Sequence, residues 1–303
     1  MRRWPVSYSL ICRTTHQRQR PVKSCLMTPS EYCEQKIDRD GSSCHYSLLF
    51  LNPSRRRAMT GLAAFCRELH EIVESTVDEN AARIKLAWWR TEVAALYCGD
   101  PQHMVTRALA PCLEPFRILQ RCLDDIIDGA EMDLLQTRYL DFIALERYCR
   151  LVAAAATECA ANINGRSAES TLDYARHLGV ALRLTRMIRN VGEDARRGRV
   201  YLPVNELQQF EVPVADILNA RYSDNFTNLM QFQHDRASRY FDSALTRLPA
   251  QDRSAQLTGL IAAAIYRTLL EEIRADGFKV LHQRTSLTPI RKLWLAWKTR
   301  ICI

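Results

Sequence analysis

Apolar residues recur at three- and four-residue spacing over six long stretches of this 303-residue chain. This spacing places the apolar side chains on one face of an α-helix and is typical of amphipathic helices in a bundle. The stretches are 56–77, 81–98, 141–163, 168–193, 214–245 and 255–275. The sequence has no runs of alternating β-branched residues of the kind that form half-buried strands, so we predict an all-α fold.

Glycine and proline residues fall mostly between these stretches, where turns are expected. No internal repeat and no change in composition divides the chain after residue 27. With 47% hydrophobic residues, the chain can bury one sizeable core. We therefore predict a single helical domain over 27–303. No apolar run reaches about 18 residues, so we expect no membrane-spanning helix.

The formal net charge of +8 is concentrated at the N-terminus. Residues 1–26 contain six Lys or Arg and no acidic residue, which leaves 36 basic and 34 acidic residues elsewhere. Because nucleic-acid binding needs a concentrated basic surface, we exclude that partner. Residues 1–26 also lack the apolar core of a signal peptide. We expect either a disordered basic tail or, as we prefer, an over-long start upstream of Met27.

The eleven cysteines show no CxxC pair and no His/Cys cluster with the spacing of a zinc site. Cys66, Cys149 and Cys159 fall in helical stretches, where cysteine often serves as a small apolar residue. We therefore expect a reducing, cytoplasmic setting without structural disulfides.

The stretch 189–203, RNVGEDARRGRVYLP, carries the strongest functional signal. Asn190 and Asp194 are four residues apart, so they share one face of a helix. Oxygen ligands on such a face can hold a divalent ion, and the basic run at 196–199 can bind phosphate oxygens. The pattern favours Mg²⁺-assisted binding of a diphosphate. The alternative interpretation is a solvated helix end with scattered charge.

Two further acidic clusters lie upstream, HEIVE at 70–74 and DDIID at 124–128. Glu71 and Glu74 are three residues apart and share a helix face. Two carboxylate-bearing helices that face each other across a bundle core can hold Mg²⁺ ions, which in turn bind phosphate. Acidic clusters on helices are more often solvated faces, so only a matched pair of clusters predicts a metal site.

The chain resembles the squalene/phytoene synthase family, and within it the bacterial hopanoid-pathway presqualene diphosphate (squalene) synthases. The resemblance extends from about Met27 to Thr299. It is carried by GSSCHYSLLFLNPSRRRAM, AFCREL, KLAWWRTEV, DGAEMDL, RYLDFIALERYC, RNVGEDARRGRVYLP, LIAAAIYRTLLEEIRADGF and SLTPIRKLWLAW. It implies a single-domain isoprenoid synthase helical bundle with a central cavity. The family's two aspartate motifs correspond to 70–74 and 190–194, whereas 124–128 is not a metal motif.

The resemblance implies a head-to-head condensation of two farnesyl diphosphate molecules to presqualene diphosphate, with Mg²⁺ as Lewis acid and template. The alanine-rich stretch 141–163 would line the cavity for the apolar chains, and Ala154 and Thr157 stand where relatives have glycines. Some relatives continue to squalene with NADPH, but no GxGxxG fingerprint supports that cofactor here. A phytoene synthase that uses geranylgeranyl diphosphate is an alternative within the family.

Matching the family motifs residue by residue implies three sets of site residues. The catalytic set is Tyr46, Tyr148 and Tyr201. The diphosphate-binding set is Ser43, Arg67, Arg189 and Arg199. The metal-binding set is Glu71, Glu74, Asn190, Glu193 and Asp194.

The chain also departs from the family pattern at five motif positions. His70 and Glu74 stand where the family has Asp, and Asn190 replaces the leading Asp of the second motif. Arg183 and Arg186 replace the usual Gln and Asn. Imidazole is a poor ligand for Mg²⁺, which prefers oxygen. We expect reduced Mg²⁺ affinity and turnover; the alternative is a non-catalytic relative that binds lipid or acts as an assembly partner.

The segment Ile290 to Trp297 is amphipathic, with two tryptophans and basic neighbours. This composition suits contact with a membrane surface. It suits a terminal helix packed on the core equally well. We expect a cytoplasmic protein with peripheral contact at the inner membrane through this segment.

Overall fold

The computed structural model describes residues 27–38, 43–76 and 78–303. Within these ranges the regular secondary structure is helical, apart from an isolated bridge between Arg138 and Val200. The α-helices are α1 (Pro29–Asp38), α2 (Ser43–Leu48), α3 (Pro53–Ser75), α4 (Glu79–Cys98), α5 (Met104–Leu109), α6 (Gln120–Leu135), α7 (Phe142–Cys149), α8 (Ala155–Asn164), α9 (Ser170–Arg196), α10 (Val204–Gln209), α11 (Val214–Leu218), α12 (Asp224–Arg247), α13 (Leu257–Ala275) and α14 (Pro289–Ile301). The predicted all-α fold is confirmed, while the basic tail 1–26 lies outside the described residues.

The prediction of one helix over 214–245 is wrong, because α11 and α12 are separated by a turn at 219–223. Ala220 adopts a left-handed backbone conformation with φ of 54°, which ends the first helix. Ser223 then caps the second helix by accepting a hydrogen bond from the Phe226 amide at 3.1 Å. The apolar spacing continues across this turn, so periodicity alone did not reveal it.

The stretch predicted as a helix over 141–163 is helical from 142 to 164, but its central turn, Arg150–Ala154, is a wider π-helix. Gly179 of α9 packs against this turn. A Cβ at Gly179 would lie 2.7 Å from both the Ala153 carbonyl oxygen and the Ala154 Cα. Much of the alanine content therefore serves close packing of helices.

The hydrophobic core has two parts, and α9 organises the larger one together with α12 and α13. The smaller part is formed by α3, α4, α6 and α8, and its largest fully buried side chain is Phe65 of α3. This packing leaves the C-terminal ends of α3 and α9 facing each other across a polar cavity that both helices line. In the described ranges we find no helix with the length and apolarity needed to cross a membrane.

Gly192, near the end of α9, allows the closest backbone contact in this region. Its amide donates to the Val280 carbonyl at 3.2 Å, and a Cβ would lie 2.1 Å from the Leu281 carbonyl oxygen. Arg196 donates from Nη1 to the same Leu281 oxygen at 3.2 Å. The connection between α13 and α14 is therefore anchored against the end of α9.

Candidate active site

The two acidic motifs meet at a cavity of about 150 Å³ between the ends of α3 and α9. The polar side chains that α3 contributes to its wall are His70 and Glu74. Those that α9 contributes are Arg183, Arg186, Asn190 and Asp194. The predicted pairing of 70–74 with 190–194 is thus observed, and the two arginines that depart from the family pattern line the same cavity.

Guanidinium groups connect the two motifs. His70 Nε2 lies 2.8 Å from Glu74 Oε1, and Arg186 contacts the same imidazole nitrogen. Arg186 Nη2 also lies 3.9 Å from Glu74 Oε1. Arg197, just after α9, donates to Glu74 at 2.9 Å and to Glu193 at 3.2 Å. The carboxylates of α3 and α9 are therefore bridged by arginine side chains.

The protonation states in this cavity follow from burial and from the arginines. Burial and the neighbouring Arg186 lower the pKa of His70 to about 4, so its imidazole is neutral at pH 7. Burial alone would raise the pKa of Glu74, but the His70 hydrogen bond and two arginines outweigh it and lower this pKa to about 2. Burial raises the pKa of Asp194 to about 6, although Arg183 and Arg186 oppose the rise.

A second network closes the opposite wall around Asp133 of α6, which is only 4% exposed. Tyr201 donates its hydroxyl to Asp133 Oδ1 at 2.5 Å, and Arg199 Nη1 lies 3.0 Å from the same oxygen. Arg183 Nη2 lies 3.8 Å from Asp133 Oδ2 and donates to the Tyr148 hydroxyl. One buried carboxylate thus positions two arginines at the cavity.

Three tyrosine rings stack behind these arginines, with ring centroids 5.4 to 6.1 Å apart; they are Tyr139, Tyr148 and Tyr201. The guanidinium carbon of Arg183 lies 5.0 Å from the Tyr148 ring centroid, within cation–π range. Burial raises the pKa of Tyr148 and of Tyr201, so both phenols stay protonated at neutral pH. The stack is a rigid support for the cationic wall.

The three predicted catalytic tyrosines lie in different places in the structure. Tyr201 lines the cavity, and Tyr148 contacts it through Arg183. Tyr46 of α2 instead packs against the hydrophobic core, and its ring lies 5.8 Å from Lys292 Nζ. All three catalytic roles stay predictions.

The predicted diphosphate-binding residues also lie in different places. Arg199 lines the cavity. Arg189 donates from Nε to Asn190 Oδ1 at 2.9 Å, and burial lowers its pKa to about 10. Arg67 donates to Glu71 at 3.0 Å on another face of α3. The side chain of Ser43 lies outside the described residues.

Glu71, predicted as a metal ligand, does not line this cavity. It faces α1, where Lys36 Nζ approaches its Oε2 to 2.6 Å. Burial raises the pKa of Glu71, but the hydrogen bonds from Lys36 and Arg67 outweigh that effect and lower it. Glu71 is therefore held as an ion pair between α1 and α3.

The remaining oxygen donors do not fit a magnesium ion. Mg²⁺ requires near-octahedral oxygen coordination with open carboxylate ligands. Glu74 and Glu193 are both bound by Arg197, and the Asn190 oxygen accepts from its neighbouring arginine. Among the residues that the structure describes, no group of three or more His, Cys, Asp or Glu is arranged to hold a metal. Of the predicted metal ligands, only Asp194 presents a carboxylate that no described side chain binds directly.

Two charged residues of the cavity wall were not predicted as site residues from the sequence, Asp133 and Arg197. Asp133 lies in the DGAEMDL segment, which carried part of the family resemblance and was its only available signal. Arg197 was recognised only as part of a basic run. The DDIID cluster at 124–128 lies outside the cavity, where Asp128 pairs with Arg90 at 2.6 Å.

An apolar pocket of about 230 Å³ lies beside the N-terminal halves of the same two helices. Its apolar lining includes Met59, Leu62, Ala156, Ala160, Leu178 and Ala262. Leu62 precedes His70 by eight residues of α3, which is about 12 Å along the helix. Tyr174 and Asn164 also line the pocket, and each carries a buried polar oxygen without a hydrogen-bond partner among the described residues.

The comparison with protein families decides the identification. The model of the squalene/phytoene synthase family matches residues 37–291. This chain belongs to the squalene/phytoene synthase family. A 15-cis-phytoene synthase from Synechocystis sp. is 31% identical over 293 residues, which cover 91% of this chain and 87% of that protein. Phytoene synthase 1 from Arabidopsis thaliana is 32% identical over 275 residues, or 86% of this chain and 64% of that protein.

Solved structures of family members confirm the isoprenoid synthase fold. A dehydrosqualene synthase in complex with a ligand superposes with a TM-score of 0.80 at 22% identity, over 90% of this chain and 96% of that one. A squalene synthase from Alicyclobacillus acidocaldarius gives a TM-score of 0.73 at 21% identity, over 82% and 94%. Members of the family are prenyltransferases that bind prenyl diphosphates.

Proposed function

We propose that this protein condenses two farnesyl diphosphate molecules head to head to form presqualene diphosphate in hopanoid-type isoprenoid biosynthesis. One observation carries the proposal: α3 and α9 present an arginine-lined polar cavity and an apolar pocket at successive levels of the same bundle. A prenyl diphosphate has this two-part chemistry, with a highly charged head and an apolar chain.

The cavity supplies charge where charge develops in the reaction. The C–O bond of one farnesyl diphosphate breaks, and the departing diphosphate takes the electron pair. Arg183, Arg186 and Arg199 offer it charge-assisted hydrogen bonds in a partly desolvated site. The alkene of the second molecule attacks the allylic cation, and the resulting cation loses a proton to the departed diphosphate as the cyclopropane closes. The apolar pocket keeps water away from the cation.

The choice between farnesyl and geranylgeranyl chains rests on the apolar pocket. The phytoene synthases among the relatives favour the longer chain as a second candidate. Thr157 favours the shorter chain, because its side chain lines the pocket where relatives have glycine and its Oγ1 donates to the Ala175 carbonyl at 2.7 Å. We propose farnesyl diphosphate as the substrate. Conversion of the product to squalene would need a hydride donor such as NADPH.

Incubation with radiolabelled substrates tests this function. The full chain is supplied with farnesyl or geranylgeranyl diphosphate, with and without Mg²⁺ and NADPH, and the products are separated. Presqualene diphosphate from the C15 substrate supports the proposal, whereas phytoene from the C20 substrate supports the second candidate. If neither substrate gives a product while an active relative assayed in parallel does, both candidate functions are contradicted and a lipid-binding or assembly role is favoured.

The helix α14 supports a proposal of peripheral contact with an anionic membrane surface. Leu295 and Ala296 are buried, while Ile290, Trp294 and Trp297 are exposed by 81%, 52% and 56%. The helix contains four basic residues and no acidic one, which complements anionic lipid headgroups. We expect the protein to co-sediment with anionic vesicles but not with neutral vesicles. Failure to co-sediment with the anionic vesicles would contradict the proposal.

A further inference from the structure

We propose that Arg186 and Arg197 take the place of a divalent cation, so that the polar cavity binds a diphosphate group without metal. The inference rests on the proposed function, because it concerns the same cavity and the same ligand head group. It goes beyond that function by assigning the charge-neutralising role to two side chains of the chain itself.

The first argument is the position of the two guanidinium groups. Arg186 lies between the motif helices, in contact with His70 and 3.9 Å from Glu74 Oε1. Arg197 holds Glu74 and Glu193 together at 2.9 and 3.2 Å. A metal ion would have to compete with the arginines for these carboxylates, because Arg197 already binds one oxygen of each. It would also meet an imidazole, which is a poor ligand for a hard cation.

The second argument is the charge of the cavity wall before any ligand binds. A site built from paired carboxylates is negative until metal ions enter. Here the wall carries four arginines, Arg183, Arg186, Arg197 and Arg199. Its acidic residues are three, Glu74, Asp133 and Asp194. The wall therefore attracts an anion directly, and the positive charges cannot dissociate because they belong to the chain.

The third argument is an unsatisfied donor. Arg183 is only 8% exposed and lines the cavity, yet its Nε has no hydrogen-bond partner among the described residues. Buried donors are normally paired, because an unpaired one has lost its water without replacement. A diphosphate oxygen would supply the missing acceptor once the Arg183 guanidinium turns toward the cavity that it lines. This observation is independent of the contacts of Arg186 and Arg197.

Isothermal titration with inorganic pyrophosphate tests the inference on the full-length protein. We expect binding in the presence of EDTA, and we expect Mg²⁺ to tighten it by no more than about threefold. In parallel, electron paramagnetic resonance of Mn²⁺ should show an undiminished free-ion signal when protein is added without pyrophosphate. Binding of pyrophosphate only with Mg²⁺, or no binding under either condition, overturns the inference.

Substitutions at the bridging arginines test it residue by residue. Arg186→Asn should weaken metal-free pyrophosphate binding by at least about tenfold. The double variant His70→Asp, Arg186→Asn should bind pyrophosphate again only when Mg²⁺ is present. The matched control is Arg176→Asn on the same helix, since Arg176 pairs with Glu158 and lies outside the cavity. An unchanged metal-free affinity in Arg186→Asn contradicts the inference.

A second variant covers the case in which Arg186→Asn does not fold. Arg197→Gln changes a side chain that is 42% exposed, and it should weaken metal-free binding while leaving the helical spectrum unchanged. Product assays separate this inference from the proposed function. Metal-free pyrophosphate binding without product from any prenyl diphosphate contradicts only the condensation. Product formation with pyrophosphate binding that strictly requires Mg²⁺ contradicts only the inference.

Discussion

The polar cavity and the apolar pocket lie at two levels of the same helices and are stabilised by opposite means. In the cavity, charged side chains are held by other charged side chains, as in the Asp133 network with Arg199 and Tyr201. In the pocket, helices approach through small residues, and the buried Tyr174 hydroxyl has no described partner. The cavity is organised by charge pairing and the pocket by packing.

This difference shows which part of the molecule can change its chemistry without changing its fold. All the departures from the family's charge pattern fall in the cavity, where each new arginine meets a polar partner across the helix gap. The apolar pocket has less freedom at Gly259 in its wall, because a Cβ there would lie 2.4 Å from the Tyr174 hydroxyl and would have to displace that side chain. Site chemistry can therefore vary on a constant bundle.

The largest expected effect is on the charge network. Asp133→Asn removes the carboxylate that Tyr201 and two arginines share, and it leaves buried cations without a counter-charge. We expect the free energy of unfolding to fall by about 3–5 kcal/mol in urea denaturation. The control is Asp128→Asn, also on α6, which breaks an exposed pair with Arg90 of α4 and should cost less than about 1 kcal/mol. Equal losses in the two variants would remove the contrast between buried and exposed pairs.

The second effect depends on pH and concerns Asp194. Its pKa is raised from 3.8 to about 6, so the folded state binds this proton more tightly than the unfolded state. The resulting stability is complete below pH 3.8 and is lost as pH rises through 6. The Asp194→Asn variant does not lose this stability. Its free energy of unfolding, relative to that of the natural protein, should therefore rise by about 1–2 kcal/mol between pH 4 and 7, allowing for partial exposure.

Urea denaturation of both proteins at pH 4, 5, 6 and 7 measures this difference. His70 is present in both proteins, so the loss of stability that its lowered pKa produces between pH 6.5 and 4 largely cancels. A constant difference in unfolding free energy across this range would show that the Asp194 carboxyl is not held in a desolvated position.

The smallest effect distinguishes two tyrosine hydroxyls in the apolar part of the molecule. Tyr174→Phe removes a buried hydroxyl without a described partner, so stability should stay constant or rise by up to about 1 kcal/mol. Tyr97→Phe removes a hydroxyl that donates to the Ile118 carbonyl at 2.7 Å and should cost about 1 kcal/mol. Thermal unfolding compares the pair. A loss in Tyr174→Phe as large as that in Tyr97→Phe would show that a bound water satisfies the Tyr174 hydroxyl.

Four long helices, α3, α4, α9 and α13, begin and end within a few residues of the predicted limits, because each buries one continuous apolar face. The 16-residue α6 was not among the predicted stretches. Short helices such as α2 and α10 were not predicted, because six residues are too few to establish a period. The turn after α11 was missed since a single left-handed alanine, Ala220, makes it without glycine or proline.

The approach of 70–74 to 190–194 could be predicted only through the family resemblance, because nothing local relates segments about 120 residues apart. The departures at His70 and Arg186 were visible in the sequence, but their mutual contact depends on how the fold places α3 across the cavity from α9. The contribution of Asp133 depends on the same tertiary packing. Helix periodicity carries no information about such cross-helix pairs.

The close contact at Gly192 has a consequence for how this protein tolerates insertions. The connection between α13 and α14 runs over the surface, where extra residues are ordinarily accepted. Val280 and Leu281, however, are fastened to the end of α9 through Gly192 and Arg196. A tag or loop graft placed at 280–281 would shift the helix that carries Asp194. The stretch 283–286 lies beyond that contact and is the better site for an insertion.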